Sequence, residues 1–443
     1  MKNNIKFFII CISLAFGVTS CETDFDNPNA ATEDQTFNSR EGIFAAAVGL
    51  QQLYSTTGLR WIVETPAVTT REGGITTTFQ NMIELEDGGT SLPNFNSNVQ
   101  GLWSTMLRVI KIAEDIEASA SDIELEAGTQ SGLIAHAKLF KAMAIGSLAQ
   151  NYEQVVVQTS NNNDAVFVSR TEGFQTAITL LSEAAAQLSA NAASSEFING
   201  ITLGNLDLPN TIAAMSARYN LFAGNYDAAI SAANSVDLSS TSIFAYDSQN
   251  LNPIWARVIQ NDAPNFKPRD NFGLPAEFVF DAADGRLAFY LVALDETNQN
   301  GLPIEDISGF FDESTEPIPV YLPDEMNLII AEANLRSGTP NLGAATTALN
   351  EVLTDTDDPF GVNADVDAYA GPNTAADLLN EVYKNRRAEL FLTGVSLEDS
   401  RRFGRPEPSG AAMNYAEERN RNFYPYPDLE RNSNPNTPAD PSI

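Results

Sequence analysis

Side chains that could catalyse a reaction or ligate a transition metal are scarce in this sequence. Its 443 residues include one histidine, His136, and two cysteines, Cys11 and Cys21. A Ser-His-Asp triad or a multi-histidine metal site would depend on that single imidazole, so most such mechanisms are excluded. His136 lies between alanines in a helical stretch, and we interpret it as a packed or surface residue. No thiol follows Cys21, which excludes a disulfide framework and cysteine-ligated zinc from the rest of the chain.

Carboxylates, by contrast, are abundant. There are 58 acidic against 25 basic side chains, a formal net charge of −33. A charge of that sign argues against a nucleic-acid partner, because phosphate neutralisation requires a basic face. The acidic loop at 355–358 could hold calcium or simply be solvated. We predict no metal site and no cofactor.

The first 20 residues have the pattern of a secretory signal. Lys2 and Lys6 precede an apolar run, residues 7–18, that is too short to span a bilayer, which takes about 20 helical residues. Small residues then lead to Cys21, an ending that resembles the lipobox of bacterial lipoproteins, in which the cysteine is acylated. An ordinary signal with an incidental cysteine is the alternative. We expect a signal peptide at 1–20, lipid attachment at Cys21 and an acidic tether at 21–38.

The elements that follow are predicted to be mainly helices. Ile43, Ala47, Leu50 and Tyr54 fall on one helix face, and similar apolar faces recur along the first half of the chain. The stretches between these segments are rich in Asn, Gly and Ser, which is a loop composition. Trp61 follows the first of these helices and is predicted to lie in a loop.

An internal repeat indicates paired helices. Residues 217–229 and 331–345 both place Asn-Leu-x-x-Gly at the end of one predicted helix and an Ala-Ala pair in the next. This pattern resembles the tetratricopeptide unit, in which small residues allow two antiparallel helices to touch. Between the copies, residues 235–320 lose helical periodicity and gather prolines and aromatics. We predict a loop-rich insertion with short strands there, or a second small core.

The fold predicted from these patterns is mostly α. It is a tetratricopeptide-like scaffold of helical hairpins that forms one domain over residues 39–443. The helical parts are 39–234 and 321–443, and the insertion at 235–320 is where we expect a binding surface.

The C-terminal third carries the most specific pattern. Residues 385–404 contain Arg-Arg-x-Glu-Leu, then a glycine, then Asp-x-Arg-Arg, and residues 421–430 contain Pro-x-Pro. These segments resemble the signature of the SusD/RagB family. Thr393 and Leu397 depart from the usual residues of that signature. Other matching pieces occur in the same order along the mature chain, namely Leu102-Trp103, residues 217–229, Asp284-Gly285-Arg286 and Ala331-Glu332-Ala333.

The charged side chains of this signature are interpreted as structural. Bidentate Arg–carboxylate bonds are suited to pinning a turn against a scaffold, although binding of a substrate anion is the alternative. The set comprises Arg386, Arg387, Glu389, Asp399, Arg401 and Arg402.

The resemblance implies a function as well as a fold. Members of this family are surface lipoproteins of the outer membrane that capture oligosaccharides, or in some branches peptides. They deliver the ligand to a SusC-like TonB-dependent transporter and act as its lid. The resemblance thus implies a non-catalytic, lipid-anchored component of nutrient uptake, exposed at the cell surface.

Candidate ligand contacts follow from the chemistry of sugars, which stack on aromatic faces and hydrogen-bond to polar groups. Trp61, near the first helix, and Trp255, in the insertion, are the first choices. The remaining candidates are Arg71, Glu72, Tyr246 and Phe266. Trp103 shares a helix face with Leu107 and Ile110 and is predicted to be core.

Three alternatives remain open. A peptide could be the ligand of the same scaffold, a glycoside hydrolase could use two of the many carboxylates, and the helical repeats could bind another protein. The acidic exterior favours a neutral glycan over an anionic one, unless Arg60, Arg71, Arg257 and Arg269 gather into a local basic cleft.

Overall fold

The computed structural model describes residues 37–260 and 263–443. The predicted signal peptide, the lipid-attachment residue Cys21 and nearly all of the predicted tether lie outside these ranges. The described helices are α1 Arg40–Leu53, α2 Leu59–Thr69, α3 Gln80–Asp87, α4 Ser97–Ala120, α5 Ala127–Asn151, α6 Arg170–Ala190, α7 Ser195–Phe197, α8 Leu208–Phe222, α9 Tyr226–Ala233, α10 Trp255–Val258, α11 Gly285–Tyr290, α12 Pro323–Arg336, α13 Leu342–Leu353, α14 Ala375–Glu389, α15 Ser396–Arg402 and α16 Asp428–Ser433.

The described strands are short, and they pair only in twos. They are β1 Gly73–Ile75, β2 Gln154–Val156, β3 Phe167–Ser169, β4 Ile243–Phe244, β5 Phe266–Pro268, β6 Leu291–Thr297, β7 Pro303–Ile307 and β8 Ile318–Pro319. All pairs are antiparallel, in the combinations β1–β5, β2–β3, β4–β8 and β6–β7. The β1–β5 pair holds the insertion against the segment that follows α2, whereas β4–β8 pairs the two ends of the insertion with each other.

The scaffold consists of neighbouring antiparallel helices. The closest pairs are α4–α5, α5–α6, α8–α9 and α12–α13, and α8 and α9 connect the first group to the second through α6 and α12. Local sequence fixes where the helices begin: Ser169 and Glu172 form a reciprocal capping box at α6, and Pro323 occupies the first turn of α12. The mostly α, tetratricopeptide-like prediction is confirmed.

Both copies of the internal repeat lie at hairpin turns. Asn220 near the end of α8 and Asn334 near the end of α12 each donate from Nδ2 to the carbonyl oxygen four residues earlier, at 2.8 Å. Their own carbonyl oxygens accept from the backbone of the connecting turns. In the first copy Gly224 has φ +79°, a left-handed conformation that glycine adopts without strain. The asparagine of the pattern therefore closes both turns, but the second turn is longer, since Asn334 accepts from Asn341 whereas Asn220 accepts from Asn225, and Gly338 does not adopt a positive φ.

The charged signature near the C-terminus is buried and paired. Four of its partners form what we call the signature cluster: Glu332, Arg386, Asp399 and Arg402. Arg386 donates to both carboxylate oxygens of Asp399 at 2.8 and 3.0 Å, and Arg402 donates to both oxygens of Glu332 at 2.7 and 2.8 Å. A further bond at 2.8 Å joins Arg402 to Asp399. The cluster ties α14 and α15 to α12, which supports the structural interpretation.

Two other predictions concern packing. Trp103 is 2% exposed and donates from Nε1 to Glu430 at 3.0 Å, so its assignment to the core is confirmed. His136 is fully buried, with Nε2 3.2 Å from the side-chain oxygen of Gln51, and burial lowers its pKa to about 3. It is a packed, neutral residue. None of the helices within 37–260 and 263–443 combines the length and apolar character that crossing a bilayer requires.

Candidate functional site

One surface of the molecule is built around a buried carboxylate, that of Glu64 on α2. Glu64 is fully buried and accepts a hydrogen bond from Asn98 Nδ2 at 2.8 Å. Arg257, on the short helix α10 of the insertion, donates from Nε to the other carboxylate oxygen at 2.5 Å. A second guanidinium, that of Arg60, lies one helical turn before Glu64, with Nε 3.8 Å from the carboxylate. We call Arg60, Glu64 and Arg257 the Glu64 cluster.

Polar side chains extend this cluster in two directions. Asn98 accepts from Asn81 Nδ2 at 2.6 Å, and Asn81 is half-buried at the start of α3. On the other side, Asn265 lies against the Arg257 guanidinium, and with its amide turned so that the oxygen faces Arg257, that oxygen accepts from Nη1 and Nη2. A continuous chain of amides and guanidinium groups therefore crosses from the first third of the protein to the insertion. Asn98 and Asn265 are buried, so the members of this chain that could hydrogen-bond the hydroxyls of a sugar are Asn81, Arg60 and Arg257.

Arg60 differs from Arg257 because its hydrogen-bonding capacity is unused. Its side chain is 31% exposed, against 17% for Arg257 and none for Glu64. Within the described ranges the guanidinium of Arg60 makes no hydrogen bond, and its Nε is buried without a partner. Burial, followed by the repulsion from Arg257, lowers the pKa of Arg60, against the attraction of Glu64. The side chain is thus held in place, with free donors.

Trp61 is covered on both faces. A Cβ on Gly101 would lie 2.4 Å from the indole Cε2 and only slightly farther from its two bonded neighbours, so the Gly101 backbone rests on one ring face. The guanidinium of Arg60 lies 4.0 Å from the ring centroid, which is a stacking distance and requires the opposite face. Trp61 therefore orients Arg60, and it offers a ligand only the ring edge unless Arg60 moves.

The prediction that Trp61 lies in a loop is wrong. Residues Tyr54–Gly58 form one π-helical turn that joins α1 directly to α2, and Trp61 is within α2. Gly58 does not end a helix here, since its backbone is helical, with φ −63° and ψ −53°. A Cβ at that position would lie 2.9 Å from the Met106 methyl, so the glycine permits a close approach to α4. The π turn changes the helical phase between α1 and α2 and so changes which face α2 presents. It ends two residues before Arg60, the first residue of the Glu64 cluster.

Two exposed aromatics that the sequence reasoning missed flank the polar chain. Phe79, just before α3, is 57% exposed, and Phe95, in the loop before α4, is 62% exposed. Asn96 joins their loops, since its Nδ2 donates to the Asn81 carbonyl and to Glu84, each at 2.9 Å. An available signal was that each phenylalanine is isolated among polar residues, in Thr-Thr-Phe-Gln-Asn and Pro-Asn-Phe-Asn, rather than part of an apolar helix face.

Three of the predicted ligand contacts are buried. Arg71 is 2% exposed, with φ +64°, and donates to the backbone carbonyl of Glu86 at 2.8 Å and that of Asn414 at 3.2 Å. Glu72 is 1% exposed and lies 3.4 Å from Arg387, while burial raises its pKa. Phe266 is fully buried on β5, opposite Ile75 of β1. None of these side chains reaches a surface from which a ligand could contact it in this conformation.

The other two predicted contacts are half-buried and separate. Tyr246 donates its hydroxyl to the Ser55 carbonyl at 2.9 Å, which holds the insertion against the π turn. Trp255 is the first residue of α10, two positions before Arg257. The ion pair between Arg257 and Glu64 thus brings the elements that carry Trp61 and Trp255 to one surface, whereas Tyr246 is anchored elsewhere.

The four arginines considered from the sequence form two pairs rather than one cleft. Arg60 and Arg257 converge on Glu64. Burial lowers the pKa of Arg71 to about 10. Glu86 attracts the Arg71 charge and Arg269 repels it, so Arg71 and Arg269 form the second pair. Only the first pair has a member with free donors and a third of its side chain exposed.

The described concave features differ in size and depth. A cavity of about 50 Å³ inside the scaffold, lined by buried residues such as Tyr54, Tyr219 and Phe391, has room for water but not for a sugar. A surface groove of about 480 Å³ is lined by insertion residues that include Asn271, Phe278 and Phe280. The groove is within the size range of ligand pockets, and it is the second candidate surface.

The acidic loop at 355–358 hydrogen-bonds to itself. Asp355 accepts from the backbone of Asp357 at 2.9 Å, and Asp358 accepts from that of Phe360 at 2.7 Å. Across the described ranges, no three His, Cys, Asp or Glu side chains are grouped so that they could hold a metal ion.

Solved structures share this architecture over nearly its whole length. A SusD superfamily protein from Bacteroides vulgatus is 14% identical, with a TM-score of 0.66 over 93% of this chain and 99% of its own. A SusD-like carbohydrate-binding protein from Bacteroides fragilis is 14% identical, with a TM-score of 0.66 over 90% and 99%. Surface glycan-binding protein A from Bacteroides uniformis is 15% identical, with a TM-score of 0.65 over 91% and 99%.

No protein-family model matches the sequence, and no curated protein matches it. The likeness to solved structures is therefore one of fold at low sequence identity. This chain has the SusD-like fold that its C-terminal signature predicts. A fold alone does not set function, which depends on the groups at the site.

Proposed function

We propose that this protein binds glycans at the cell surface. The observation that carries the proposal is the surface around the Glu64 cluster, where two exposed phenylalanines flank a chain of amide and guanidinium groups. Aromatic rings stack on the C–H faces of pyranoses while amides and guanidinium groups bind their hydroxyls. The SusD-like fold supports the same function, since two of the similar structures are described as carbohydrate- or glycan-binding.

The proposal extends to the role that the sequence resemblance implies. The protein captures an oligosaccharide or polysaccharide and passes it to a SusC-like TonB-dependent transporter of the outer membrane, over which it acts as a lid. Lipid attachment at Cys21 would anchor it there, facing outwards. Support comes from the lipobox-like ending at residue 21 and from the fold. Co-purification with the product of an adjacent transporter gene tests the partner, and loss of membrane association in Cys21→Ala tests the anchor.

Binding is tested directly with the purified protein. We expect it to be retarded in affinity electrophoresis gels that contain its polysaccharide and to give saturable heat with oligosaccharides in calorimetry. Trp255→Ala reports whether the insertion side of the surface contributes. Val48→Ala, a change at an exposed apolar residue of α1, is the matched control and should bind normally.

Other outcomes would identify a different activity. Binding of peptide mixtures without glycan binding would make the protein a peptide receptor. Shortening of the polymer during incubation would show catalysis and contradict the non-catalytic role that we propose. Glu64 is poorly placed for catalysis, because its carboxylate is fully buried and bonded to Asn98 and Arg257.

A further inference from the structure

The Glu64 cluster contains an excess of positive charge. Two guanidinium groups, those of Arg60 and Arg257, approach a single carboxylate. Arg257 satisfies that carboxylate, since its Nε and Nη2 donate to the two Glu64 oxygens at 2.5 and 3.4 Å. Arg60 is left with an ion-pair distance of 3.8 Å and no hydrogen bond within the described ranges. One of the two cations is therefore uncompensated at close range.

The uncompensated cation is also oriented. Stacking on Trp61 fixes the plane of the Arg60 guanidinium, and the Gly101 backbone fixes Trp61 from behind. A planar guanidinium held in this way presents paired N–H donors at its edge, a geometry that matches the two oxygens of a carboxylate or a sulfate. Because the side chain is already ordered, little conformational entropy is lost when it binds an anion.

We infer that the glycan bound at this surface is acidic and that Arg60 binds its carboxylate or sulfate groups. The inference rests on the proposed glycan-binding function and names the ligand class of the same site. It differs from the expectation of a neutral glycan, which was drawn from the acidic exterior alone.

The overall charge of −33 does not contradict this assignment. At physiological ionic strength the field of distant exposed charges is screened over about 8 Å, whereas a contact pair in a half-buried site is screened much less. The acidic exterior slows the approach of an anion, and the local guanidinium determines whether the anion stays. The affinity should therefore fall as the salt concentration rises.

Calorimetry with three oligosaccharide probes of equal length tests the inference. The probes are oligogalacturonate, which carries carboxylates, a sulfated galactan oligosaccharide, and a neutral galacto-oligosaccharide. The variants are Arg60→Gln, Arg60→Lys and the control Arg108→Gln, which changes an exposed arginine of α4 that has no ion pair within the described residues. Thermal melts confirm that each variant is folded.

We expect the protein to bind one acidic probe at least tenfold more tightly than the neutral probe. Arg60→Gln should lower the acidic affinity about tenfold or more, as expected for loss of a charge-assisted hydrogen bond, and should affect the neutral probe less. Arg60→Lys keeps the charge but not the paired donors, so its affinity for the acidic probe should lie between those of the unmodified protein and Arg60→Gln. Arg108→Gln should match the unmodified protein.

Two results would overturn the inference, and they differ from failure of the proposed function. Preference for the neutral probe would refute an acidic ligand while leaving glycan binding intact. Unchanged acidic affinity in both Arg60 variants would refute the role of Arg60. Binding of no glycan at all would refute the proposed function itself. Whichever acidic probe binds more tightly, oligogalacturonate or the sulfated galactan oligosaccharide, identifies whether the site binds a carboxylate or a sulfate.

Discussion

The signature cluster and the Glu64 cluster are both built from arginines and carboxylates, but they differ in exposure and in whether every arginine is hydrogen-bonded to a carboxylate. In the first, Arg386 and Arg402 form three close pairs with Asp399 and Glu332, and no side chain of the cluster is more than 9% exposed. Arg336 also donates to Glu332, at 2.6 Å, so each guanidinium there has a carboxylate at hydrogen-bond distance. The second has two arginines and one carboxylate, and Arg60 is 31% exposed. The signature cluster joins three helices, whereas the Glu64 cluster, in which Arg60 makes no hydrogen bond within the described ranges, faces solvent beside aromatic rings.

This difference separates a structural from a binding use of arginine. A buried guanidinium whose bonds are used by carboxylates has nothing to offer a ligand, and its removal leaves unpaired buried charge. A half-exposed guanidinium with free donors adds little to stability, because water already solvates it. The two clusters should therefore respond in opposite ways when stability and binding are both measured.

The largest effect is expected from breaking the signature cluster. Arg386→Met leaves Asp399 without its bidentate partner in a buried site, and we expect a loss of about 3–5 kcal/mol in the free energy of unfolding. Arg60→Met should cost less than about 1 kcal/mol. Urea denaturation of the two variants measures the difference. Equal destabilisation would show that the two clusters do not differ in the way described.

The pH dependence of stability should distinguish two kinds of carboxyl near the signature. Arg386 and Arg402 lower the pKa of Asp399 against its burial, whereas burial raises the pKa of Asp324 to about 7. Below pH about 4 the Asp324 carboxyl is protonated in both the folded and the unfolded chain, and its burial costs no charge desolvation. As the pH rises from 4 to 7 the unfolded chain ionises while the folded carboxyl stays protonated, so the stability of the fold falls over this range. Asp324→Asn should therefore gain stability relative to the unmodified protein between pH 4 and pH 7, on the order of 2–4 kcal/mol.

Asp399→Asn should show the opposite trend. A lowered pKa contributes stability above the unfolded pKa that disappears as the pH falls through the folded value. The deficit of Asp399→Asn should thus be largest near neutrality and shrink in acid. Urea midpoints at pH 4, 5.5 and 7 test both variants, and parallel curves for the two would contradict the assignment of their environments.

A smaller effect is expected where Gly101 supports Trp61. In Gly101→Ala the new Cβ meets the indole at 2.4 Å, so the ring and the stacked Arg60 must shift. We expect a cost of about 1–3 kcal/mol from overpacking, together with weaker ligand binding. Gly49→Ala is the matched control, since a Cβ there meets nothing within 4 Å and the helix interior should gain about 0.5–1 kcal/mol. If both variants bind equally well, Trp61 does not position the site.

The helical scaffold could be predicted because its signals are local. The apolar spacing of Ile43, Ala47 and Leu50 and the hairpin repeats at 217–229 and 331–345 depend on residues a few positions apart. The site could not be derived in this way. Phe266 is buried because β5 pairs with β1, almost 200 positions earlier, and Arg71 is covered by carbonyls from the far end of the chain.

The same limit applies to Trp61 and Phe79. Nothing local shows that Gly58 approaches Met106, so the continuous α1–α2 segment resembled two helices with a loop between them. Phe79 was overlooked because single exposed aromatics are common, and only the bonds of Asn96 place it near Phe95 and the Glu64 cluster.

The double variant Phe79→Ala/Phe95→Ala tests the central claim most directly, because both rings are exposed and their loss should not unfold the protein. Each stacking ring is worth about 0.5–1.5 kcal/mol, so the glycan affinity measured by calorimetry should fall about tenfold or more, with an unchanged melting temperature. Leu203→Ala, at another exposed apolar residue, is the control. Unchanged glycan affinity in the folded double variant would contradict the claim and move the search to the groove around Phe278 and Phe280.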